Sequence, residues 1–173
     1  YKGASAITPN RSEAERATGL DTPIEATELH NAGLASRLGE SLDLDAVVLT
    51  LDRHGALLEE RGGDPVVIPT VARSVYDVTG AGDVVLAALA AAKANGLGWP
   101  DAVVFANAAA GLEVEVFGVQ PIPLAQVKRE ILVRTRPVDG KERALEELLI
   151  EVAVHREAGQ KLVFTNGCFD VLH

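Results

Sequence analysis

The chain has 173 residues, of which 47% are hydrophobic and only 4% aromatic, and it carries a formal charge of −9. A negatively charged chain is repelled by phosphate backbones and anionic lipids. We therefore expect neither nucleic acid nor a membrane surface as a partner. The length allows one medium domain, or one domain and part of another. The abundance of small and branched aliphatic residues favours an α/β core with closely packed helices.

Cysteine usage and the chain ends indicate where the protein works. The single cysteine, Cys168, cannot form an internal disulfide, which is typical of the reducing cytoplasm. No apolar run reaches membrane-spanning length and no signal peptide opens the chain, so we expect a cytoplasmic protein. The sequence contains no Met and opens at Tyr1 on the lead-in to a strand. We therefore expect the chain to be a segment of a longer protein, with both cuts falling inside structured units.

The first elements alternate between strands and helices. Residues 5–8 form a predicted strand, and residues 11–18 form a short helix that ends at Gly19. Pro23 is predicted to open a second helix. Its apolar positions are Ile24, Leu29, Leu34, Leu38 and Leu42. The continuous apolar run 46–51 predicts a buried strand, and residues 56–59 and 65–69 predict a hairpin.

Asn10 and Glu13 stand three residues apart where the first strand meets the first helix. This spacing favours a helix cap, in which the Asn10 side chain accepts from the helix and Glu13 reaches back. Residue types alone favour this structural interpretation over a functional one.

Residues 77–83 read Asp-Val-Thr-Gly-Ala-Gly-Asp, and a helix predicted over 84–95 follows. Small residues at a helix start allow backbone N–H groups to converge on one point, which favours an anion. The carboxylate of Asp83 is then suited to accept a proton, so the pattern favours phosphoryl transfer to a hydroxyl. The alternative is a tight turn in which Asp83 only complements the helix dipole. Spacing alone leaves both interpretations open.

The second half is predicted to be largely helical. Helices are expected over residues 100–113 and 124–132, and a strongly amphipathic helix over 144–158 ends at Gly159. The charged stretch 134–141 has a linker composition. Residues 161–165 predict a new strand, which Asn166 and Gly167 turn toward another helix. We expect one domain over 1–133, a linker and helix over 134–159, and the start of another domain at 160–173.

The string at 77–83 resembles the signature of the ribokinase-like (PfkB) carbohydrate kinases. The resemblance implies that Asp83 is the catalytic base, which activates a sugar hydroxyl. It also implies that an anion hole stabilises the phosphoryl group arriving from ATP. The resemblance assigns Gly80, Ala81 and Gly82 to that anion hole.

Three further segments resemble nucleotide-contacting parts of the same family. Residues 8–14 resemble a segment that organises Mg²⁺ and phosphate, which implies nucleotide-binding roles for Asn10, Arg11, Ser12 and Glu13. Glu13 would act on the metal indirectly, since its carboxylate suits a hard cation that keeps its waters.

Residues 48–55 resemble the strand and turn that contact the nucleotide, where Thr50 and Gly55 match. The family often has Gly where this chain has Asp52, which leaves direct nucleotide contact by Asp52 or Arg53 open. The helix around Asn107 resembles the one that flanks the adenine pocket, with Asn107 as the polar contact. Without that resemblance, the segment is typical of a helix core.

The last residues, 163–173, are similar to the opening of the cytidylyltransferase-like nucleotidyltransferases, which grip nucleotide phosphates with turn amides and a His-x-Gly-His motif. His173 matches the first His of that motif. The resemblance implies nucleotide-binding roles for Thr165, Asn166, Gly167, Phe169 and His173.

The two resemblances imply an α/β chain: the C-terminal portion of a ribokinase-like domain, then the first strand of a Rossmann-like nucleotidyltransferase domain. This order resembles enzymes that fuse a heptose-7-phosphate kinase to a heptose-1-phosphate adenylyltransferase in lipopolysaccharide core synthesis. It implies a sugar phosphate, ATP and Mg²⁺, and a homo-oligomer. The segment alone is expected to be inactive, because the sugar-binding half would precede Tyr1. The alternatives are another ribokinase-like sugar kinase, or a non-catalytic nucleotide-binding or assembly module.

Overall fold

A computed structural model of the protein describes residues 1–21, 27–70, 80–115, 121–135, 144–157 and 159–165. The chain divides into two compact units, Tyr1–Ile122 and Pro123–His173, and each is described by itself. The elements of the first unit are β1 (Ala6–Ile7), α1 (Arg11–Thr18), α2 (Glu28–Leu42), β2 (Ala46–Thr50), β3 (Ala56–Glu60), β4 (Val66–Ile68), α3 (Ala81–Ala94) and α4 (Trp99–Glu113).

The four strands form one mixed sheet in the order β1-β2-β3-β4. Strands β1 and β2 are parallel, whereas β3 is antiparallel to both β2 and β4. The register places Thr50 opposite Ala56, and Ala56 opposite Ile68. Asn10 forms a parallel bridge with Thr50. These four residues therefore lie along one end of the sheet, which we call the carboxyl edge because β1, β2 and β4 all end there.

Helices cover both faces of the sheet, because strand side chains alternate between the two faces. Val48 and Leu58 point to one face and pack with α3 and α4. Val47, Leu49 and Leu57 point to the other face and pack with α1 and α2. All five are buried, and the predicted buried strand at 46–51 and the hairpin that follows it are confirmed. The first unit is thus a layered α/β/α structure.

The start of α2 differs from the prediction. The helix begins at Glu28, where the Thr27 hydroxyl oxygen caps it by accepting from the N–H of His30 at 3.2 Å. The side chain of Leu29 is 83% exposed, so its assignment to the apolar face was wrong, whereas Leu34 and Leu38 are buried. Pro23 and Ile24 lie outside the described residues.

Helices α3 and α4 pack closely through small side chains. Val85, Leu89 and Ala92 of α3 share one buried cluster with Ala102 and Ala106 of α4. This confirms the tight packing expected from their alanine content. Helix α3 begins at Ala81, earlier than residue 84, because Gly80 in the left-handed conformation already provides the helix start.

The second unit contains α5 (Leu124–Thr135) and α6 (Leu145–Glu157), which contact each other. Both predicted helices are confirmed, and the domain boundary predicted at residue 133 falls inside α5. The strong amphipathicity predicted for α6 was wrong. Leu148, Leu149 and Ile150 are consecutive, so they point in different directions around the helix, and each is 40% exposed or more.

The strand predicted at residues 161–165 is not formed. Val163 and Phe164 are 90% and 91% exposed, and the described part of this unit contains no strand with which they could pair. Extended segments need such a neighbour to satisfy their backbone groups. Thr165 is exposed in this segment. Cys168 and the other residues assigned to the second nucleotide site, Asn166, Gly167, Phe169 and His173, lie outside the described residues.

Across the described residues, every helix is too short or too polar to cross a membrane.

Candidate functional site

The carboxyl edge carries a capping box at the start of α1. Asn10 Oδ1 accepts from the Glu13 N–H at 2.9 Å, and Glu13 Oε2 accepts from the Asn10 N–H at 2.8 Å. The structural interpretation of this pair is therefore confirmed. Both residues are exposed, and the box uses only one of the two carboxylate oxygens of Glu13. The edge thus presents a carboxylate whose direction is fixed by the helix start.

Arg11 and Ser12 occupy the first turn of α1, directly after the cap. The Arg11 side chain donates from Nε to Oδ1 of Asn31, which is 5% exposed, at 3.2 Å. This bond ties α1 to α2, so Arg11 has a structural partner in addition to its predicted role at phosphate. Ser12 is exposed.

Thr50 joins the cap to the sheet. Its N–H donates to the carbonyl of Pro9 at 2.9 Å, and its hydroxyl donates to the same carbonyl at 3.4 Å. These bonds hold the residue before Asn10 against the end of β2. The structure therefore brings together Asn10 and Thr50, two predicted site residues that are far apart in the sequence.

Gly55 lies in the turn between β2 and β3 and packs against the end of β4. Its φ of +96° is in the left-handed region, and a Cβ built there would lie 2.2 Å from the carbonyl oxygen of Ile68 and 2.7 Å from the nitrogen of Thr70. No side chain fits such a space. The turn and the end of β4 can approach each other only because this residue is glycine.

Asp52 adopts a backbone conformation that favours glycine. Its φ is +51°, in the left-handed region that glycine adopts without strain and that Asp tolerates better than most residues. The Asp at this position is therefore compatible with the left-handed conformation of the turn.

Asn107 is buried at the carboxyl edge. Its side chain is 5% exposed, and Nδ2 donates to the carbonyl oxygen of Ile68 at 2.9 Å. The bond connects α4 to the last residue of β4. Asn107 thus lies at the same edge as Thr50 and Gly55, and its side-chain NH2 group already donates to the protein itself.

The N-terminus of α3 forms a second part of the site. Gly80 is the N-cap residue, with φ +95°, and as a glycine it has no side chain to bond to the first helix amides. The N–H of Val84 donates to the Gly80 carbonyl at 3.0 Å, so the N–H groups of Ala81, Gly82 and Asp83 precede the first intrahelical bond. This arrangement provides donors for an anion. Asp83 is exposed in the same turn.

Gly82 differs from the other glycines at predicted site positions. It is helical, so the positive φ that this loop requires belongs to Gly80. Apart from its chain neighbours and the backbone of its own helix, no atom of the described residues lies within 4 Å of a Cβ built on Gly82. Glycine in a helix costs about 1 kcal/mol relative to Ala, and packing within the described residues does not require it here. A glycine here leaves room for a phosphate beside the helix amides.

Among the described residues, the ionisable groups with perturbed pKa values lie at the opposite end of the sheet. Arg61 donates to Asp43, and this bond lowers the pKa of the Asp43 carboxyl. Partial burial raises the pKa of Glu59, whose carboxylate accepts from Ser36. The register pairs Glu59 with Val47, away from the carboxyl edge. These shifts report structural contacts and do not mark the candidate site, although perturbed pKa values often do so elsewhere.

Within the described ranges, no group of three or more His, Cys, Asp or Glu side chains is placed to hold a metal ion.

Curated relatives match the chain over its full length. "Bifunctional protein HldE" of Geobacter sulfurreducens is 43% identical over 173 residues, which is 100% of this chain and 35% of the relative. The protein of the same name in Pseudomonas putida is 43% identical over 176 residues, covering 100% of this chain and 36% of the relative. The chain thus spans about a third of the length of these relatives. The predicted resemblance to a bifunctional enzyme is confirmed.

Solved structures share the fold of the first unit. Ribokinase from Thermotoga maritima has 28% identity and a TM-score of 0.63, covering 73% of this chain and 42% of that one. Arabidopsis thaliana ribokinase, complexed with ribose and ATP, has 32% identity and a TM-score of 0.57, covering 66% and 36%. Phosphofructokinase-2 from Escherichia coli, at 17% identity, has a TM-score of 0.68 over 76% and 41%, and shows the fold alone.

The predicted ribokinase-like α/β fold is therefore confirmed. The family described as pfkB family carbohydrate kinase matches residues 1–125, which include the carboxyl edge and the start of α3. This chain belongs to the pfkB family of carbohydrate kinases.

Proposed function

We propose that the protein containing this chain is a kinase that transfers the γ-phosphoryl group of ATP to the anomeric hydroxyl of heptose 7-phosphate. We further propose that a second, adenylyltransferase activity converts the product to ADP-heptose. The observation that carries the kinase proposal is the N-terminus of α3, where the amides of residues 81–83 precede the first helix bond beside the carboxylate of Asp83. Family membership and the bifunctional relatives support it.

The proposed reaction divides between two groups on α3. The amides of Ala81 and Gly82 donate to the oxygens of the transferred phosphoryl group, where negative charge accumulates. The Asp83 carboxylate accepts the proton of the attacking sugar hydroxyl, so that the oxygen can bond to phosphorus while the bond to ADP breaks. The nucleotide would lie along the carboxyl edge, beside Thr50 and Gly55.

The cap of α1 suits a magnesium ion that accompanies ATP. Mg²⁺ usually keeps several waters and binds through substrate phosphates with one or two carboxylates. The exposed Glu13 carboxylate, which has one oxygen in the capping box, would hold such an ion through water. Arg11 and Ser12, in the same turn, would face the phosphates.

A coupled assay of ADP release by the full-length protein tests the proposed function. Heptose 7-phosphate should be phosphorylated far faster than ribose or fructose 6-phosphate, since the order of the two resemblances along this chain is that of the heptose enzymes. Preference for one of the other sugars would instead support a different ribokinase-like sugar kinase. No phosphorylation of any sugar, with ATP still bound, would support a non-catalytic module. Analytical ultracentrifugation of the same sample tests the expected homo-oligomer.

Glu13→Gln separates the cap from the metal role. Because Gln also completes a capping box, the free energy of unfolding should change by no more than about 0.5 kcal/mol. The loss of charge should raise the Mg²⁺ concentration for half-maximal activity about tenfold. The matched control is Glu28→Gln, an acidic residue in the first turn of α2. An unchanged Mg²⁺ requirement in Glu13→Gln would remove Glu13 from the metal site.

Gly82→Val tests the anion hole. The branched side chain would enter the open space beside the α3 amides, so we expect ATP affinity by calorimetry to fall at least about tenfold. Gly33→Val is the matched control, since Gly33 is also helical and also open. It carries the same helix-propensity cost without the site. Equal ATP affinities in the two folded variants would contradict an anion hole at this turn.

A further inference from the structure

Two residues approach one backbone carbonyl at the carboxyl edge. The carbonyl oxygen of Ile68 accepts from Nδ2 of Asn107 at 2.9 Å. The same oxygen lies 2.2 Å from the position that a Cβ of Gly55 would occupy. Three segments, the β2–β3 turn, the end of β4 and helix α4, therefore meet at this atom.

Asn107 is a polar exception in an apolar part of α4. Its neighbours Ala106 and Ala108 are 0% and 1% exposed, and Asn107 itself is 5% exposed. Burial of an amide is unfavourable unless its groups are hydrogen-bonded, so the bond to Ile68 is what stabilises this side chain here. Close packing of α4 needs only small residues, as its alanines show. The amide therefore serves the carbonyl that it binds.

We propose that Asn107 is a positioning residue for the nucleotide site, which acts through the Ile68 carbonyl rather than by contact with the base. This inference rests on the proposed kinase function. By holding Ile68, the Asn107 amide fixes the surface against which Gly55 packs, and thereby sets the position of the turn after Thr50. Loss of the donor leaves a buried carbonyl without this partner, and the turn shifts.

The test uses Asn107→Asp and Asn107→Leu in the full-length protein. Neither an ionised aspartate nor a leucine can donate a hydrogen bond to the Ile68 carbonyl. We expect KM for ATP and for GTP to rise together, each about tenfold, since a buried acceptor has lost its donor. KM for the sugar and kcat should stay within about twofold. Asn95→Asp is the matched control, because the exposed Asn95 also donates from Nδ2 to a backbone carbonyl, that of Ala91 at 2.9 Å.

Two kinetic outcomes would overturn the proposal. A change in the ATP to GTP ratio of KM values beyond about threefold would indicate a direct contact with the base. A fall in kcat alone, with every KM unchanged, would indicate only a smaller folded fraction. Calorimetric Kd values for Mg·ATP in the same variants test the inference even if no sugar is phosphorylated, so failure of the kinase proposal is distinguishable.

A crystal structure of the wild-type protein with a non-hydrolysable ATP analogue gives a result that needs no variant to fold. Nδ2 of Asn107 within hydrogen-bond distance of the Ile68 carbonyl, with no polar atom of the base in contact, supports the proposal. A hydrogen bond between Asn107 and the base overturns it.

Discussion

Asp83→Asn in the full-length protein is expected to lower kcat for sugar phosphorylation by about 10²–10⁴-fold, the usual cost of losing a general base. The amide has nearly the same shape as the carboxylate but cannot accept the hydroxyl proton. ATP affinity should change little, because the backbone amides at the start of α3 remain. Single-turnover kinetics and calorimetry on the same sample measure both quantities.

Asp101→Asn is the control for this substitution. Asp101 is also an exposed acid in the first turn of a helix, α4, so its replacement removes the same favourable interaction with a helix dipole. Its kcat should match that of wild type. If Asp83→Asn keeps kcat within about threefold of wild type, Asp83 is not the base. Equal losses in both variants would point to helix stability instead of chemistry.

Gly55→Ala is expected to destabilise the kinase unit by about 3 kcal/mol or more, because it combines a disfavoured backbone conformation with a steric clash. The added methyl group would lie 2.2 Å from the Ile68 oxygen, so the turn or the end of β4 must move. Since both lie at the proposed nucleotide site, ATP affinity should fall as well. Chemical denaturation and calorimetry test these two expectations separately.

Gly62→Ala separates the two causes. Gly62 has a φ of +75°, yet beyond its chain neighbours no atom of the described residues lies within 4 Å of its Cβ position, so an alanine there meets backbone strain without a clash. We expect a loss of only about 1 kcal/mol and unchanged ATP affinity. Similar losses at both glycines would show that the close approach of Gly55 to Ile68 is not important for stability.

Local patterns predicted much of the fold. Helix α1 begins and ends where its cap signals place it, because the cap bonds of Asn10, Glu13 and Gly19 are all made within the helix and its flanking residues. The hairpin of β3 and β4 is likewise encoded nearby, by apolar segments on either side of a glycine turn. Such features depend on few distant contacts, so the neighbouring residues in the sequence contain nearly all the information that determines them.

Predictions that needed distant partners were less secure. Leu29 has an apolar side chain but points to solvent, because the Thr27 cap fixes where α2 starts and thereby which residues face the sheet. Residues 161–165 have strand-forming composition, but a strand also requires a neighbour. The same reason limits the site: glycine preference at position 55 can be guessed from a turn, but its contact with Ile68 depends on the register of three strands.

The strand pairings that build the two parts of the candidate site differ in the length of chain that they enclose. Strands β2, β3 and β4 follow one another directly, so their pairing closes short loops. Pairing of β1 with β2 instead joins Ala6 to Ala46 and encloses both α1 and α2. Longer closures carry a larger entropic cost and slow the formation of a contact. We therefore expect the meander that contains the Gly55 turn to form first, and the pairing that brings the Asn10 cap to the carboxyl edge to form more slowly.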